Sequence, residues 1–225
     1  MARILSIETA LDTCSVALHE SGKLLHTLHI QTPRSHAAQL APLIRQLCAE
    51  AGCPISSLNA IAVSAGPGSY TGLRIGVSTA KGLCFGLAVP LIAVNTLDII
   101  AHRARQQCDN PAWICPVIDA RRMDVFYKIF DPHSREEVPA TAATLSESLF
   151  QPYFDRNQTI CFAGNGAEKC RAVVRHQLAR FMPEIQPTAA ALGEMAFGSW
   201  QAGQCQNAAT FEPHYTKEFF TTLPR

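Results

Sequence analysis

Hydrophobic and polar positions alternate along the first thirty residues in the way expected of an antiparallel sheet. Short polar connections such as Glu20-Ser21-Gly22-Lys23 separate the apolar runs. The pattern predicts three strands joined as a meander, over residues 3–9, 13–19 and 23–31.

The spacing of apolar residues then changes to a helical period of three or four positions. It predicts a first helix from Ser35, as N-cap, to Ala51, which Gly52 and Pro54 end. Two strand–helix pairs follow, with Thr96 predicted to cap the last helix. The strands are predicted over residues 60–65 and 90–94, and the helices over residues 73–88 and 96–107.

The polar segment Asp109-Asn110-Pro111 is the predicted boundary between two domains, residues 1–108 and residues 109–225. Past it, strand and helix patterns begin again, so the predicted fold class is α/β, with a mixed sheet and helices in each half. Strands are predicted over residues 113–118, 123–130 and 159–163, and helices over residues 145–150, 167–178 and 189–202.

Composition favours a large core and a thinly charged surface. The 225 residues are 48% hydrophobic and 16% charged, which suits a chain that covers apolar surface with a partner. A net charge of +1 gives no nucleic-acid signal. No apolar run has membrane-spanning length and no signal-peptide layout is present, so we expect no membrane association and a cytoplasmic location.

The cysteines and histidines form no spaced metal motif. Nine cysteines are present without a CxxC pair, and eight histidines are scattered without zinc spacing. Several cysteines lie inside apolar patterns and are predicted to be small buried hydrophobic residues in a reducing compartment. They are Cys14, Cys48, Cys84, Cys115 and Cys161.

The block from Gly66 to Gly76, GPGSYTGLRIG, joins a predicted strand to a predicted helix. Free amide groups at such a helix start favour anions, phosphate above all. The block is not a Walker A loop, however, and Thr71 stands where the dinucleotide fingerprint has its third glycine. A stripe of small residues also allows another helix to pack closely, and the sequence favours that reading. Phosphate-proximal candidates are Glu8, Asp12, Gly66, Gly68, Ser69, Tyr70 and Arg74.

Carboxylates follow two predicted strands. Glu8 ends the first strand and Asp12 lies in the turn after it, a position that suits groups aimed at a cleft. Asp119 ends a strand in the second half, beside Arg121 and Arg122. Asp119 can equally serve as a turn residue. The two arginines can contact phosphate or RNA, or form ordinary surface.

The order of strands and helices, with a glycine turn before a helix, resembles the actin/Hsp70/sugar-kinase (ASKHA) superfamily and its two-subdomain fold. The chain is similar, more closely, to the bacterial TsaB (YeaZ) family, most strongly over residues 1–125. The tail Tyr215-Thr216-Lys217-Glu218 departs from that family's usual ending. The matching motifs are Ile4-Leu5-Ser6-Ile7-Glu8-Thr9, Ser35-His36, the block from Ala65 to Gly76, and Asp119-Ala120-Arg121.

The resemblance implies a non-catalytic partner of TsaD that acts with the ATPase TsaE. Together these proteins transfer threonylcarbamoyl to N6 of adenosine 37 in tRNAs that read codons starting with A. ATP and metal are then expected on TsaD and TsaE, with no cofactor intrinsic to this chain, and tRNA is bound only through the complex. TsaD-type proteins carry an H-x-E-x-H histidine pair where this chain reads Val94 to Ile100 without a histidine.

The resemblance also implies a partner surface on the helices predicted near residues 35–51 and 71–87, shared by a TsaD heterodimer and a homodimer. One alternative is an ASKHA-fold ATP-dependent phosphotransferase or peptidase-like hydrolase that uses Glu8, Asp12 and the Gly66 turn; another is direct tRNA binding. The predicted interface residues are His36, Leu40, Leu43, Ile44, Leu47, Gly72, Leu73, Gly76, Ala80 and Leu83.

Overall fold

Ten strands form two mixed five-stranded sheets in the computed structural model, which describes residues 1–31, 36–108 and 112–214. The first sheet contains β1 (Arg3–Glu8), β2 (Cys14–Glu20), β3 (Lys23–Ile30), β4 (Ala60–Ser64) and β5 (Leu91–Val94). The second contains β6 (Trp113–Asp119), β7 (Asp124–Phe130), β8 (Glu136–Thr144), β9 (Ile160–Ala163) and β10 (Ala179–Met182).

Helices cover the faces of both sheets. A short 3₁₀ helix, Ile55–Ser57, precedes β4. The α-helices are α1 (His36–Glu50), α2 (Tyr70–Leu87), α3 (Thr96–Gln107), α4 (Gln151–Phe154), α5 (Ala167–Val173) and α6 (Ala189–Gln201). Within the described residues, no helix has both the length and the apolar character needed to cross a membrane.

The two sheets have the same topology. The strand order is β3-β2-β1-β4-β5 in the first and β8-β7-β6-β9-β10 in the second. In each, the central strand belongs to a meander of three antiparallel strands, and two further strands, parallel to it, follow on its other side. The predicted α/β class with a mixed sheet in each half is therefore confirmed.

Helices pack on both faces of the first sheet and bury its inner strands, whereas the edge strand β3 is exposed or half-buried along its length. Leu5 and Ile7 of β1 point to the side of α1 and α2, whereas Ile4 points to the side of α6. Buried on both faces, β1 reads as a nearly continuous apolar run rather than an alternating one. This burial holds the carboxyl end of β1, and therefore Glu8, inside the molecule.

The helices do not follow the predicted division between residues 108 and 109. That division separates the two sheets along the chain, but α3, which precedes it, packs on the second sheet. Conversely, α6, from the second half, packs on the first sheet against β1 and β2. Each sheet thus carries a helix that belongs to the other half of the sequence.

A buried lysine fixes α3 to the second sheet. The Nζ of Lys128 on β7 lies 2.7 Å from Asp98 Oδ1 of α3 and 2.6 Å from Glu136 Oε2 of β8. The Lys128 side chain is only 9% exposed. Burial raises the pKa of Asp98, an effect that Lys128 opposes by hydrogen bonding and charge. The two carboxylates therefore compensate for the buried Lys128 ammonium group, which would be costly to bury alone.

Several sequence predictions need correction. Strands β8 and β10 were not predicted. The helix predicted over residues 145–150 is wrong, because those residues form coil and turns and α4 begins at Gln151. The helix predicted to Leu178 ends at Val173. Asn95, not Thr96, caps α3, because its Oδ1 accepts a hydrogen bond from Leu97 N at 2.9 Å.

Other predictions are confirmed or fall outside the described residues. Five cysteines predicted to be buried are buried, and all nine thiols are free. The predicted cap Ser35, the boundary at residues 109–111 and the tail at residues 215–218 lie outside the described part of the chain.

Candidate functional site

The glycine turn between β4 and α2 is held from both sides by other parts of the chain. Gly66 has a φ of +97°, which favours glycine, and its carbonyl accepts a hydrogen bond from Thr96 N at 2.9 Å. His214 N donates to Ala65 O at 2.7 Å. The turn thus receives one hydrogen bond from the start of α3 and one from the C-terminal segment.

The small residues of α2 make room for the end of β1. A Cβ placed at Gly72 or Gly76 would overlap Thr9, the residue that directly follows β1. A Cβ at Gly68 would lie 2.5 Å from Ala10 O. Because no side chain intervenes, α2 lies directly against the backbone that leaves β1. Close packing is therefore the role of this stripe, and its neighbour is a strand end rather than another helix.

Two of the four amide groups at the start of α2 already have partners. The Ser69 N donates to Ala10 O at 2.7 Å, and the Gly72 N donates to the Ser69 Oγ at 3.2 Å. Arg74, the cation closest to the turn in sequence, lies over the ring of Tyr70 and donates to its hydroxyl at 2.9 Å. These contacts use groups that a phosphate site would need.

Glu8 and Asp12 occupy different environments. Glu8 is completely buried, and its Oε1 accepts hydrogen bonds from Ala10 N at 2.6 Å and from Ser64 Oγ at 3.0 Å. Its Oε2 has no partner among the described residues. Burial raises the pKa of Glu8 to about 7, although the two hydrogen bonds oppose the shift. Asp12, by contrast, is exposed.

Asp12 lies at a cavity of about 490 Å³ between the two halves of the fold. Among the described lining residues Asp12 carries the only charge, so the cavity presents neutral polar groups and one carboxylate. Such a lining disfavours a polyphosphate. The described lining residues are Leu11, Asp12, Thr13, Gln31, Asn165, Gln186 and Pro187.

Asp119 acts as a turn residue after β6. Its Oδ1 accepts a hydrogen bond from Arg121 N at 2.7 Å and pairs with Lys169 Nζ at 2.5 Å. Arg121 and Arg122 have φ values of 68° and 46°, in the left-handed region, and both side chains are exposed. Of the two readings of Asp119, the turn role is the one observed.

The residues after β5 have structural roles as well. Asn95 caps α3 through its side chain, and the backbone amide of Thr96 holds the glycine turn. Across the described ranges, no group of three His, Cys, Asp or Glu side chains is arranged to hold a metal ion.

Most of the predicted interface residues face this chain's own core. His36 and Leu83 are half-buried. The other eight are buried within the chain: Leu40, Leu43, Ile44, Leu47, Gly72, Leu73, Gly76 and Ala80. All of these except Leu73 pack in the core on the α1–α2 side of the first sheet or against the end of β1.

The exposed face of the same two helices consists of different residues. Phe85 of α2 is 91% exposed, and a Cβ placed at Gly82 or Gly86 would meet no atom within 4 Å. Four of the nine exposed positions of α1 are alanines, among them Ala38 and Ala41. Sequence reasoning missed this surface, although the spacing of Arg74, Ser78, Gly82 and Phe85 places them on one helical stripe opposite the buried one.

Comparison with known proteins gives a consistent result. Residues 30–217 match the family model described as TsaD: tRNA N6-adenosine threonylcarbamoyltransferase. Over 151 residues the chain is 36% identical to the tRNA threonylcarbamoyladenosine biosynthesis protein TsaB of Escherichia coli K12, a match that covers 67% of this chain and 63% of that protein. The matches to the TsaB proteins of Haemophilus influenzae and Bacillus subtilis span about half of their lengths, 52% and 54%.

Solved structures extend the likeness to nearly the whole chain. The structure of YeaZ from Pseudomonas aeruginosa is 29% identical with a TM-score of 0.83, covering 96% of this chain and all of that one. An activator of 2-hydroxyisocaproyl-CoA dehydratase from Clostridium difficile is 10% identical with a TM-score of 0.53, over 90% of this chain and 97% of that one, and shares the fold alone. The predicted two-subdomain ASKHA fold is thereby confirmed. The chain belongs to the family that the matching model describes, and within it to the TsaB (YeaZ) proteins.

Proposed function

We propose that this chain is a non-catalytic subunit for the formation of N6-threonylcarbamoyladenosine at position 37 of tRNA. It binds a TsaD-type transferase, which performs the transfer, and works with a TsaE-type ATPase. The tRNA is held by the complex, in keeping with a net charge of +1 for this chain. ATP and metal belong to the partners.

The observation that carries this proposal is the exposed face of α1 and α2. Phe85 is almost fully accessible, and the glycines on either side of it leave space for the backbone of a second helix. Large exposed aromatic residues on such a surface are typical anchors of protein–protein interfaces. We infer that the α1–α2 face packs on the equivalent helices of the transferase, or on a second copy of this chain when the transferase is absent.

Two further observations favour a binding role over a phosphotransferase or hydrolase. Glu8, the carboxylate that the enzymatic reading requires, is buried beneath the turn rather than open to the cavity. The amide groups of Ser69 and Gly72 are engaged within the chain. The family model carries the name of the transferase, but residues 94–100 of this chain provide no histidine at the place where the transferase has its H-x-E-x-H pair.

Reconstitution tests the activity. Purified transferase and ATPase, tRNA and a source of threonylcarbamoyl-adenylate are combined with and without this chain. We expect modified tRNA only when the chain is added, and none from the chain alone. Product from the chain alone would refute the non-catalytic role, and a yield that does not change with the chain would refute the accessory role.

A pair of glycine variants tests the surface. Gly82→Arg places a large charged side chain on the proposed interface without meeting any atom of its own chain. Gly198→Arg is the matched control, because Gly198 is also an exposed helical glycine with open space but lies on α6, on the opposite side of the first sheet. We expect Gly82→Arg to weaken transferase binding at least tenfold in calorimetry and Gly198→Arg to leave it unchanged. Equal affinities for the two variants would refute the interface.

A further inference from the structure

Three sulfur atoms converge where α3 ends on the second sheet. The Cys108 Sγ lies 3.8 Å from the Met182 Sδ. Cys108 is the residue that follows α3, and Met182 is the last residue of β10. Both side chains pack against the same buried apolar cluster, which includes Cys161 of β9. This sulfur cluster, Cys108, Cys161 and Met182, has no role in the function proposed above.

The strand register explains why Cys161 and Met182 meet. Strands β9 and β10 are parallel, with Ala163 opposite Met182 and Cys161 opposite Arg180. Side chains two positions apart on a strand share a face, so Cys161, Ala163 and Met182 all point to the side on which α3 lies. Phe162 and Phe181 point to the other side and stack on each other there. Cys108, at the end of α3, packs against the same cluster from that side, and its side chain interacts with that of Cys161.

The two thiols differ in accessibility. Cys161 is 6% exposed, and burial, together with the hydrogen bond that its protonated thiol makes with Cys108, raises its pKa to about 12. Cys108 is half-buried and can be reached from solvent. Two guanidinium groups, of Arg180 and Arg105, act on Cys161 in the opposite direction and favour its thiolate. An accessible thiol beside a shielded second thiol is the arrangement of an attacking and a resolving cysteine.

We propose that Cys108 and Cys161 form a reversible disulfide when the chain meets a low-molecular-weight disulfide such as oxidised glutathione. The Cys108 thiolate attacks one sulfur of the small disulfide, which releases one small thiol and leaves a mixed disulfide on Cys108. The Cys161 sulfur then attacks the Cys108 sulfur, gives up its proton to solvent and releases the second small thiol. Two protein thiols are oxidised, and one small disulfide is reduced to two thiols.

The bond would tie the first half of the sequence to the second. Cys108 directly follows the helix that the first half contributes to the second sheet, and Cys161 lies on β9, one strand from the edge of that sheet. Because the two cysteines are far apart in the chain, the cross-link also restricts the unfolded state. We expect the oxidised protein to melt about 10 °C higher than the reduced one.

Mass spectrometry tests the proposal. The reduced protein is prepared with Cys205→Ser, which removes the one fully exposed thiol, and is incubated with oxidised glutathione before the remaining thiols are alkylated under denaturing conditions. We expect two fewer alkylated thiols than in the reduced sample, and a tryptic cross-link between residues 106–121 and residues 157–169. Since Cys115 lies on the first of these peptides, fragment ions must assign the bond to Cys108.

Two single variants separate the steps. With Cys161→Ala, Cys108 should retain one glutathione, because no resolving thiol remains. With Cys108→Ser, Cys161 should remain reduced. The parent protein, which retains the exposed Cys205 thiol, is the positive control: glutathionylation of Cys205 shows that the oxidant is active. A parent protein in which Cys205 is modified and residues 108 and 161 stay unlinked would overturn the proposal. So would a cross-link to a different cysteine, or oxidation of Cys161 in Cys108→Ser.

Discussion

Replacing glycine by alanine should change the stability of the protein in opposite directions at two positions of α2. In Gly76→Ala the added methyl group would overlap Thr9 Oγ1, whereas in Gly82→Ala it would meet no atom within 4 Å. Both changes remove the entropic cost of glycine inside a helix, which is about 1 kcal/mol. Gly82→Ala should therefore stabilise the protein by about 1 kcal/mol.

At Gly76 the cost of the steric overlap with Thr9 exceeds the gain in helix propensity. Thr9 Oγ1 donates a buried hydrogen bond to Gly72 O at 2.9 Å, and it cannot stay in place beside a methyl group. Losing a buried hydrogen bond costs about 1–3 kcal/mol, and overpacking costs about 1–3 kcal/mol more. After the gain in helix propensity is subtracted, Gly76→Ala should lower the free energy of unfolding by about 3 kcal/mol. The Gly76→Ala protein should therefore be about 4 kcal/mol less stable than the Gly82→Ala protein.

Urea unfolding, with the free energy extrapolated to water, measures both variants, and Thr9→Ala completes the test. Without the Oγ1, the nearest Thr9 atom to the new methyl group at position 76 is the Cβ at 3.4 Å, an ordinary contact. The penalty of Gly76→Ala should then fall by at least about 1 kcal/mol in the Thr9→Ala background. Equal stabilities of the two glycine variants, or an unchanged penalty without Thr9 Oγ1, would refute the proposed contact.

Other predictions concern titration and buried charge. Since burial raises the pKa of Glu8 from 4.5 to about 7, the folded state holds this proton more tightly than the unfolded state. Stability should fall as pH rises from about 4.5 to 7, by about 3 kcal/mol in all. Glu8→Gln, which imitates the protonated form, should flatten that part of the pH profile in urea unfolding, and a slope equal to that of the parent would contradict the assignment. Lys128→Met should cost about 3 kcal/mol because it leaves Asp98 without its cation. By contrast, Glu168→Gln, at an exposed pair with Arg171, should change the melting temperature little.

The sequence predicted the strands and helices of the first half because their apolar spacing is strong and their ends carry clear signals. It missed β8 because this edge strand, EEVPATAAT, contains a proline and lacks large apolar residues in alternation. It missed β10 because four residues are too few for a period to be recognised.

The candidate surface was only partly predictable, for a physical reason. Apolar periodicity identifies the face of a helix that is buried, and in α1 and α2 that face packs on the chain's own sheet. Residues chosen by that criterion, such as Ile44 and Ala80, are therefore core residues. Phe85 falls off the periodic stripe, and only the folded structure reveals that it is exposed. The helices were predicted to lie at the interface, and that prediction awaits its test.

The exchange of helices between the two sheets has a consequence for how the chain can be divided. A polypeptide cut between residues 108 and 109 would give one fragment that lacks the cover of α6 over β1 and β2, and another that lacks the cover of α3 over β6. Each fragment would expose an apolar sheet face that only the other can cover. We therefore expect the two halves, which share one topology, to unfold as a single cooperative unit. They should be recovered as folded protein only when expressed together, as complementing fragments that associate with the affinity of an obligate pair.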